Sequence, residues 1–528
     1  MHQPELFRFV FSTLLLLCAT DAPSLINPRF TPVHLVEESD RIIQVELLDA
    51  VGHLVRMRAV KSLKGSDWSA GAELDLSQTA KEARLHFERA LRSPDRTALV
   101  FISAEFGAAQ NGLILVGTTW ARIYSTEAHR WHVERIDPQM SGTWAGSSEM
   151  LARAVEYILS DPGAEIPVAF EGKWGRATKI EKCDAKVYGL LNVGRQNQPA
   201  ILMLCESGDR LFGWDAKDGT LRDLTIAANL KSKSRHAILS DVNGDGHIDL
   251  ISWDGESVSA WFQSKDGAFT QRTSEFKTDK CIGLVALPSG PQREENILVS
   301  TLDCFTVLRN GESTFVAHRT LGKTHNLKPG GNPTPPLAGD FTGDKIPDVV
   351  EGFANGLVLY PGQNSGGIGT GVTFTSPNSV GDCSAAFCGD YDGDGHLDFV
   401  VVGNARIAFW HNQGAGRFRE VLEETGELTY ITKPRAVGGS TCDFNNDGRQ
   451  DLMICYADMA PQFFFNRGFR TFGFASSLTL ESRDACSSLA AGQQAALLAD
   501  LNGNSRQDLL LVNQNQELWL VLDGKYAR

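Results

Sequence analysis

No stretch of this 528-residue chain is apolar for long enough to cross a membrane. The longest candidate runs only from Phe9 to Ala19, about half of the roughly 20 residues that a spanning helix needs. There is no basic excess either: 64 Asp and Glu against 50 Lys and Arg give a net charge of −14. Phosphate binding needs clustered Lys and Arg, so nucleic acid is excluded as a partner. The sequence has no Cys-x-x-Cys metal or redox motif, no Gly-x-Ser-x-Gly elbow, no His-Glu-x-x-His and no Walker loop. Gly366-Gly-Ile-Gly-Thr-Gly371 is glycine-rich, but no helix follows to hold a phosphate, so it reads as an inter-strand turn. With 42% hydrophobic and 22% charged residues, the composition is that of a folded protein and not of a disordered one.

What the chain does have is one acidic loop, written five times. The first offers Asp241, Asn243, Asp245, His247 and Asp249 at positions 1, 3, 5, 7 and 9. The others offer Asp340, Thr342, Asp344, Ile346 and Asp348; Asp390, Asp392, Asp394, His396 and Asp398; Asp443, Asn445, Asp447, Arg449 and Asp451; and Asp500, Asn502, Asn504, Arg506 and Asp508. Side-chain oxygens at 1, 3, 5 and 9, joined by the backbone carbonyl of position 7, suit a hard cation such as Ca²⁺. Gly246, Gly395 and Gly448 at position 6 allow the left-handed backbone of a tight turn. An EF-hand would need helical flanks and a Glu at position 12, where only Glu351 is acidic; Ser252, Val401, Ile454 and Leu511 stand in the rest. Counting carboxylates ranks the loop at 390 strongest and the loop at 500 weakest. His247 and His396 are expected to direct their imidazoles to solvent, since position 7 acts through its carbonyl. Asp and Asn also serve ordinary turns, but five copies in phase favour the metal.

The phase sets the architecture. Successive loops start 99, 50, 53 and 57 residues apart, and the long gap hides an eroded copy at Pro288–Asn296. Another eroded copy lies at Asn192–Ala200. Around the loop at 241, β-type runs at His236–Leu239, Leu250–Trp253, Val258–Phe262 and Phe269–Thr273 make four strands per repeat. Ile407–Trp410 and Phe463–Phe465 are the third strands of two later copies. A period near fifty with four strands per unit indicates a β-propeller. Seven blades over 168–528 are expected, with six or eight open as alternatives. Trp253, Trp261 and Trp410 are assigned to blade core.

These loops, their β flanks and their period resemble the FG-GAP/VCBS-type repeats of integrin α-subunit propellers and of many exported bacterial proteins. The resemblance implies Ca²⁺ in the hairpin between the first and second strands of a blade, on one face of the disc, with ligands engaging the opposite face or the rim. The strands after the loops end in Ser252-Trp253, Glu351-Gly352, Val402-Gly403, Cys455-Tyr456 and Val512-Asn513, not in Gly-Ala-Pro. A generic VCBS-type propeller is therefore the closer description.

The N-terminal third shows no such repeat. Residues 1–22 read as a secretory signal, and residues 30–165 as a small β-rich α+β domain. A hairpin is expected at Ile42–Leu48 and Leu54–Val60, with strands at Ala98–Ser103, Leu113–Val116, Arg122–Tyr124 and Trp131–Ile136. One helix follows a capping box of Thr79 and Glu82; a second, Glu149–Ser160, buries Leu151, Val155, Ile158 and Leu159. Pro162–Pro167 is the expected linker. Ten cysteines suit an exported chain. Cys183/Cys205 and Cys281/Cys304 bracket the eroded loops as candidate staples; Cys383/Cys388 and Cys442/Cys455 are further pairs, leaving Cys486 free. The expected protein is an exported, Ca²⁺-binding, monomeric propeller, not an enzyme, that binds a protein or a polysaccharide. The alternative is a propeller-based hydrolase or lyase with acids, His or Arg converging at the channel mouth.

Overall fold

A computed structural model describes residues 30–528 apart from 67–70, 93–95, 104–109, 128, 195–198, 289–294, 311–314, 324, 326, 328–332, 365, 431–434, 479, 481–484, 486–494, 523–524 and 527–528. The expected signal at 1–22, Cys18 and Cys486 lie outside these residues, as does part of each eroded loop. The chain divides into two units, 1–168 and 169–528.

In the first unit, seven strands close into a barrel: β1 (Arg41–Val51), β2 (Leu54–Lys64), β3 (Ala72–Asp75), β4 (Thr97–Ile102), β5 (Gln110–Val116), β6 (Thr119–Glu127) and β7 (Arg130–Ile136), in the order β1-β2-β3-β7-β6-β5-β4. All neighbours are antiparallel except β3 and β7. Alternation along β1 turns Ile43, Val45 and Leu47 inward, where they meet Val55, Met57, Val100, Ile114 and Trp131. Three helices accompany the barrel, one more than expected: α1 (Pro32–Glu38), α2 (Lys81–Arg92) and α3 (Ser148–Ser160). The Thr79 hydroxyl is buried without a hydrogen-bond partner and caps nothing. The side chain of Glu82 lies outside the description. On α3, Met150, Leu151 and Val155 are buried, whereas Leu159 is exposed, because the buried stripe follows the first two turns only. The expected linker buries Ala164 and Ile166.

The second unit is a seven-bladed β-propeller, each blade a four-stranded antiparallel sheet. Blade 1 is Val187–Asn192, Ala200–Cys205, Arg210–Asp215 and Thr220–Asp223; blade 2 is His236–Ser240, Asp249–Trp253, Ser257–Gln263 and Phe269–Lys277. Blade 3 is Gly283–Pro288, Glu295–Ser300, Cys304–Asn310 and Phe315–Gly322; blade 4 is Leu337–Gly339, Asp348–Phe353, Gly356–Tyr360 and Val372–Thr375. Blade 5 is Cys383–Gly389, Asp398–Gly403, Ile407–Asn412 and Phe418–Glu420; blade 6 is Ala436–Cys442, Asp451–Tyr456, Gln462–Asn466 and Phe472–Phe474. Blade 7 takes Ala496–Ala499, Asp508–Val512 and Glu517–Val521 from the end of the chain and its fourth strand, Ala177–Lys182, from the beginning of the unit. That strand closes the ring and leaves no blade incomplete.

An apolar cluster lies between each pair of adjacent blades, the last joining blade 7 (Leu510, Leu518, Leu520) to blade 1 (Leu190, Ile201, Phe212). First strands of successive blades adjoin from blade 2 round to blade 7, and that of blade 7 adjoins blade 1. Trp253, Trp261 and Trp410 are buried. The eight described cysteines are free thiols, so no staple is formed among them. The two buried thiols of Cys183 and Cys205 nevertheless influence each other, raising the pKa of Cys183 and lowering that of Cys205.

Candidate functional site

Each of the five acidic loops joins the first strand of its blade to the second, and all five therefore lie on one face of the ring. Their hydrogen bonds repeat. The position-1 carboxylate accepts the position-6 N–H in every copy, at 2.8 to 3.0 Å: Gly246 to Asp241, Lys345 to Asp340, Gly395 to Asp390, Gly448 to Asp443 and Ser505 to Asp500. The position-5 oxygen accepts the position-7 N–H, again in all five. The turn needs a positive φ at position 6, which Gly supplies freely and which Lys345 (69°) and Ser505 (62°) adopt without that freedom.

Position 9 is the buried anchor. Asp249, Asp348, Asp398, Asp451 and Asp508 are all fully buried. One carboxylate oxygen accepts a backbone N–H from the end of the third strand: Gln263 to Asp249, Gly362 to Asp348, Asn412 to Asp398 and Asn466 to Asp451. In four loops the other oxygen takes the position-2 N–H, from Val242, Phe341, Phe444 and Leu501. In the blade-5 loop that oxygen, Asp398 Oδ2, is buried with no partner, as are Asp241 Oδ1 and Thr342 Oγ1. Burial pushes Asp249 and Asp392 up to about 6, and Asp451 well above the usual carboxylate range. Clustered acids held short of hydrogen-bond partners are what a cation would satisfy, so the donor set fits Ca²⁺.

His396 does not turn to solvent: it is half-buried, its imidazole packed on the turn at Gly414. Glu351, the one acid at position 12, points away from its loop into a buried ion pair with Lys323 at 2.7 Å. Several residues outside the acidic pattern complete the loops. Asn412 Nδ2 donates to Phe341 O of the blade-4 loop at 2.8 Å, and Asn466 Nδ2 to Tyr391 O of the blade-5 loop at 3.0 Å. Arg470, fully buried, reaches from blade 6 to Asp392 at 2.9 Å. His411 joins Asp392 and Asp394 in a group whose ligand atoms lie within 4.8 Å of one another. The Asn-x-Gly spacing of Asn412-Gly414 and Asn466-Gly468 was the available signal for the clamps; His411 and Arg470 carry none in the sequence.

The opposite face has a different character. A cavity of about 350 Å³ is lined by His236, Lys280, Cys281, Ile282, Leu302, Pro333, Pro335 and Ser384. These residues enter first strands or follow second strands, so they lie away from the acidic loops. His236 stacks on Trp253 at 5.7 Å, and burial lowers its pKa to about 4, leaving it neutral.

The ring and its loops define a propeller with FG-GAP-like repeats. The family described as FG-GAP-like repeat matches residues 390–437 and 443–511, which span blades 5 and 6 and reach into blade 7. No curated protein matches the sequence. Among solved structures, an Agrocybe aegerita lectin described as recognising non-reducing terminal N-acetylglucosamine is 18% identical, over 57% of this chain and 79% of its own, with a TM-score of 0.40. BBS1N, solved in complex with ARL6DN, is 8% identical over 67% and 97%, with a TM-score of 0.42. A protein from Lactobacillus plantarum is 13% identical over 64% and 95%, with a TM-score of 0.39.

Proposed function

We propose that this chain is an exported, Ca²⁺-stabilised propeller that binds a protein or a polysaccharide without transforming it. The supporting observation is the division of labour between faces. Acidic loops with a shared scaffold occupy one side, and the cavity on the other has mostly apolar walls with one imidazole, one ammonium, one thiol and one hydroxyl. A few polar groups on an apolar wall orient a ligand. The calcium is structural: a site absent from the unfolded chain adds its binding energy to folding, roughly 2.7 kcal/mol per loop at a hundredfold excess over Kd.

The test is a thermal melt of the full chain in chelator and in Ca²⁺, paired with a glycan and surface-protein binding screen of the chain and its Leu302→Asp variant. Chelation is expected to lower Tm by several degrees and Ca²⁺ to restore it. Leu302 is exposed (46%), so its substitution is expected to abolish binding and leave Tm unchanged. A melt indifferent to chelator would sink the calcium reading; binding indifferent to Leu302→Asp would sink the assignment of the face.

A further inference from the structure

We infer that the blade-5 loop is built for a divalent metal that accepts nitrogen as well as oxygen, such as Zn²⁺, with His411 as the added ligand. This rests on the reading that the acidic loops hold metal ions, and it goes beyond that reading in the identity of the ion and of a ligand outside the loop pattern. His411 lies in the third strand of blade 5, buried, with Nδ1 3.0 Å from Asp398 Oδ1 and 3.7 Å from Asp392 Oδ2. The 3.0 Å contact is a hydrogen bond in this structure, and two ligands of one zinc, each about 2.0–2.2 Å from it, stand roughly 3 Å apart, so the same groups suit an ion that takes the place of the proton.

Two independent observations separate this loop from its siblings. Asp398 is fully buried, yet its Oδ2 has no hydrogen-bond partner, whereas the matching oxygen in the other four loops is held by the position-2 N–H. The place of His411, directly before the N–H that meets the position-9 carboxylate, is taken by Phe262, Pro361 and Phe465 in blades 2, 4 and 6. Only blade 5 among these offers a nitrogen there. Calcium takes oxygen ligands; imidazole belongs with zinc and its first-row neighbours. Arg470 holds Asp392 Oδ2 at 2.9 Å, fixing that carboxylate from outside and tempering the charge of an acid-rich site. The ligand group is Asp392, Asp394 and His411, whose donor atoms lie within 4.8 Å of one another, with Asp398 hydrogen-bonded to His411 beside them.

The experiment uses the full chain stripped of metal, titrated with Zn²⁺ by calorimetry in excess Ca²⁺ and with Co²⁺ by visible absorption. His411→Phe, which installs the side chain of blades 2 and 6, keeps the strand filled; His411→Gln is the polar control. One Zn²⁺ per chain is expected to bind despite Ca²⁺, and both variants to weaken it at least about tenfold while the Ca²⁺-dependent rise in Tm persists. Zinc uptake unchanged in both variants, or fully displaced by Ca²⁺, overturns the inference. Absence of zinc binding while Ca²⁺ still raises Tm refutes this inference alone. Zinc binding through His411 with a melt indifferent to Ca²⁺ supports it and refutes the calcium reading instead.

Discussion

Glu351 shows how one residue type serves opposite ends within a single repeat. The three acids of its loop, Asp340, Asp344 and Asp348, have no basic side chain in an ion pair with them among the described residues, whereas Glu351 is paired with Lys323 Nζ at 2.7 Å, the two side chains 0% and 1% exposed. Ser300 Oγ donates to the same carboxylate at 2.6 Å, and Lys323 also donates to Ser300 Oγ at 2.8 Å and Thr301 O at 2.6 Å. Burial works against both charges, raising the Glu351 pKa and lowering that of Lys323, while each partner opposes the shift of the other. Two desolvated charges gain little over well-packed apolar neighbours, but one left alone is expensive. Glu351→Leu alone is expected to destabilise by about 3–5 kcal/mol, and Lys323→Met/Glu351→Leu by clearly less. Denaturant midpoints of the two variants check this; equal losses would show that the pair contributes net stability of its own.

At the scale of the element, the acidic loop is both the most legible part of the molecule and an incomplete description of it. Its Asp and Gly positions were readable because a tight turn around several oxygens demands those residue types at those intervals, and their phase gave the blades. What could not be read is the support that arrives from another blade. Asn412 and Asn466 stand in Asn-x-Gly sequences indistinguishable from ordinary turns, yet each clamps a carbonyl of the preceding blade's loop. His411 looked like any residue of a strand, and Arg470 like any turn residue, until the ring brought them to Asp392. Asn412→Ala removes the donor to Phe341 O and Leu397 O and leaves buried carbonyls unpaired. A loss of about 1–3 kcal/mol is expected. Asn412→Asp, which keeps the shape and lacks the N–H donors, should lose at least as much; a stable Asn412→Asp would show that packing, not the clamp, sets the cost.

For the whole molecule, the decisive element is the one the repeat pattern concealed. Ala177–Lys182 has no acidic loop and is mostly polar, with only Ala177 and Ile180 apolar, so nothing local announces that it belongs to the last blade. Its partners do: Ala177 faces Val521, Thr178 Leu520, Lys179 Trp519, Glu181 Leu518 and Lys182 Glu517. Lys179 pairs with Glu517 at 2.6 Å, and the Cys183 and Val187 N–H groups donate to Gln516. Without this strand, blade 7 presents an unpaired edge and the apolar cluster shared with blade 1 loses its cover. The ends also meet where Gly172 and Lys173 pair with Tyr526 and Lys525, but Ala177–Lys182 is the strand that completes a blade across the junction, so it acts on the stability of the ring and not of one blade alone. A chain covering 169–528 is expected to unfold in one cooperative transition. A chain covering 184–528 is expected to melt lower and more broadly, to aggregate through the open edge, and to regain its transition when a peptide of residues 169–183 is supplied in trans as the missing strand. If 184–528 melted as sharply and as high as 169–528, closure would be the work of the inter-blade clusters alone.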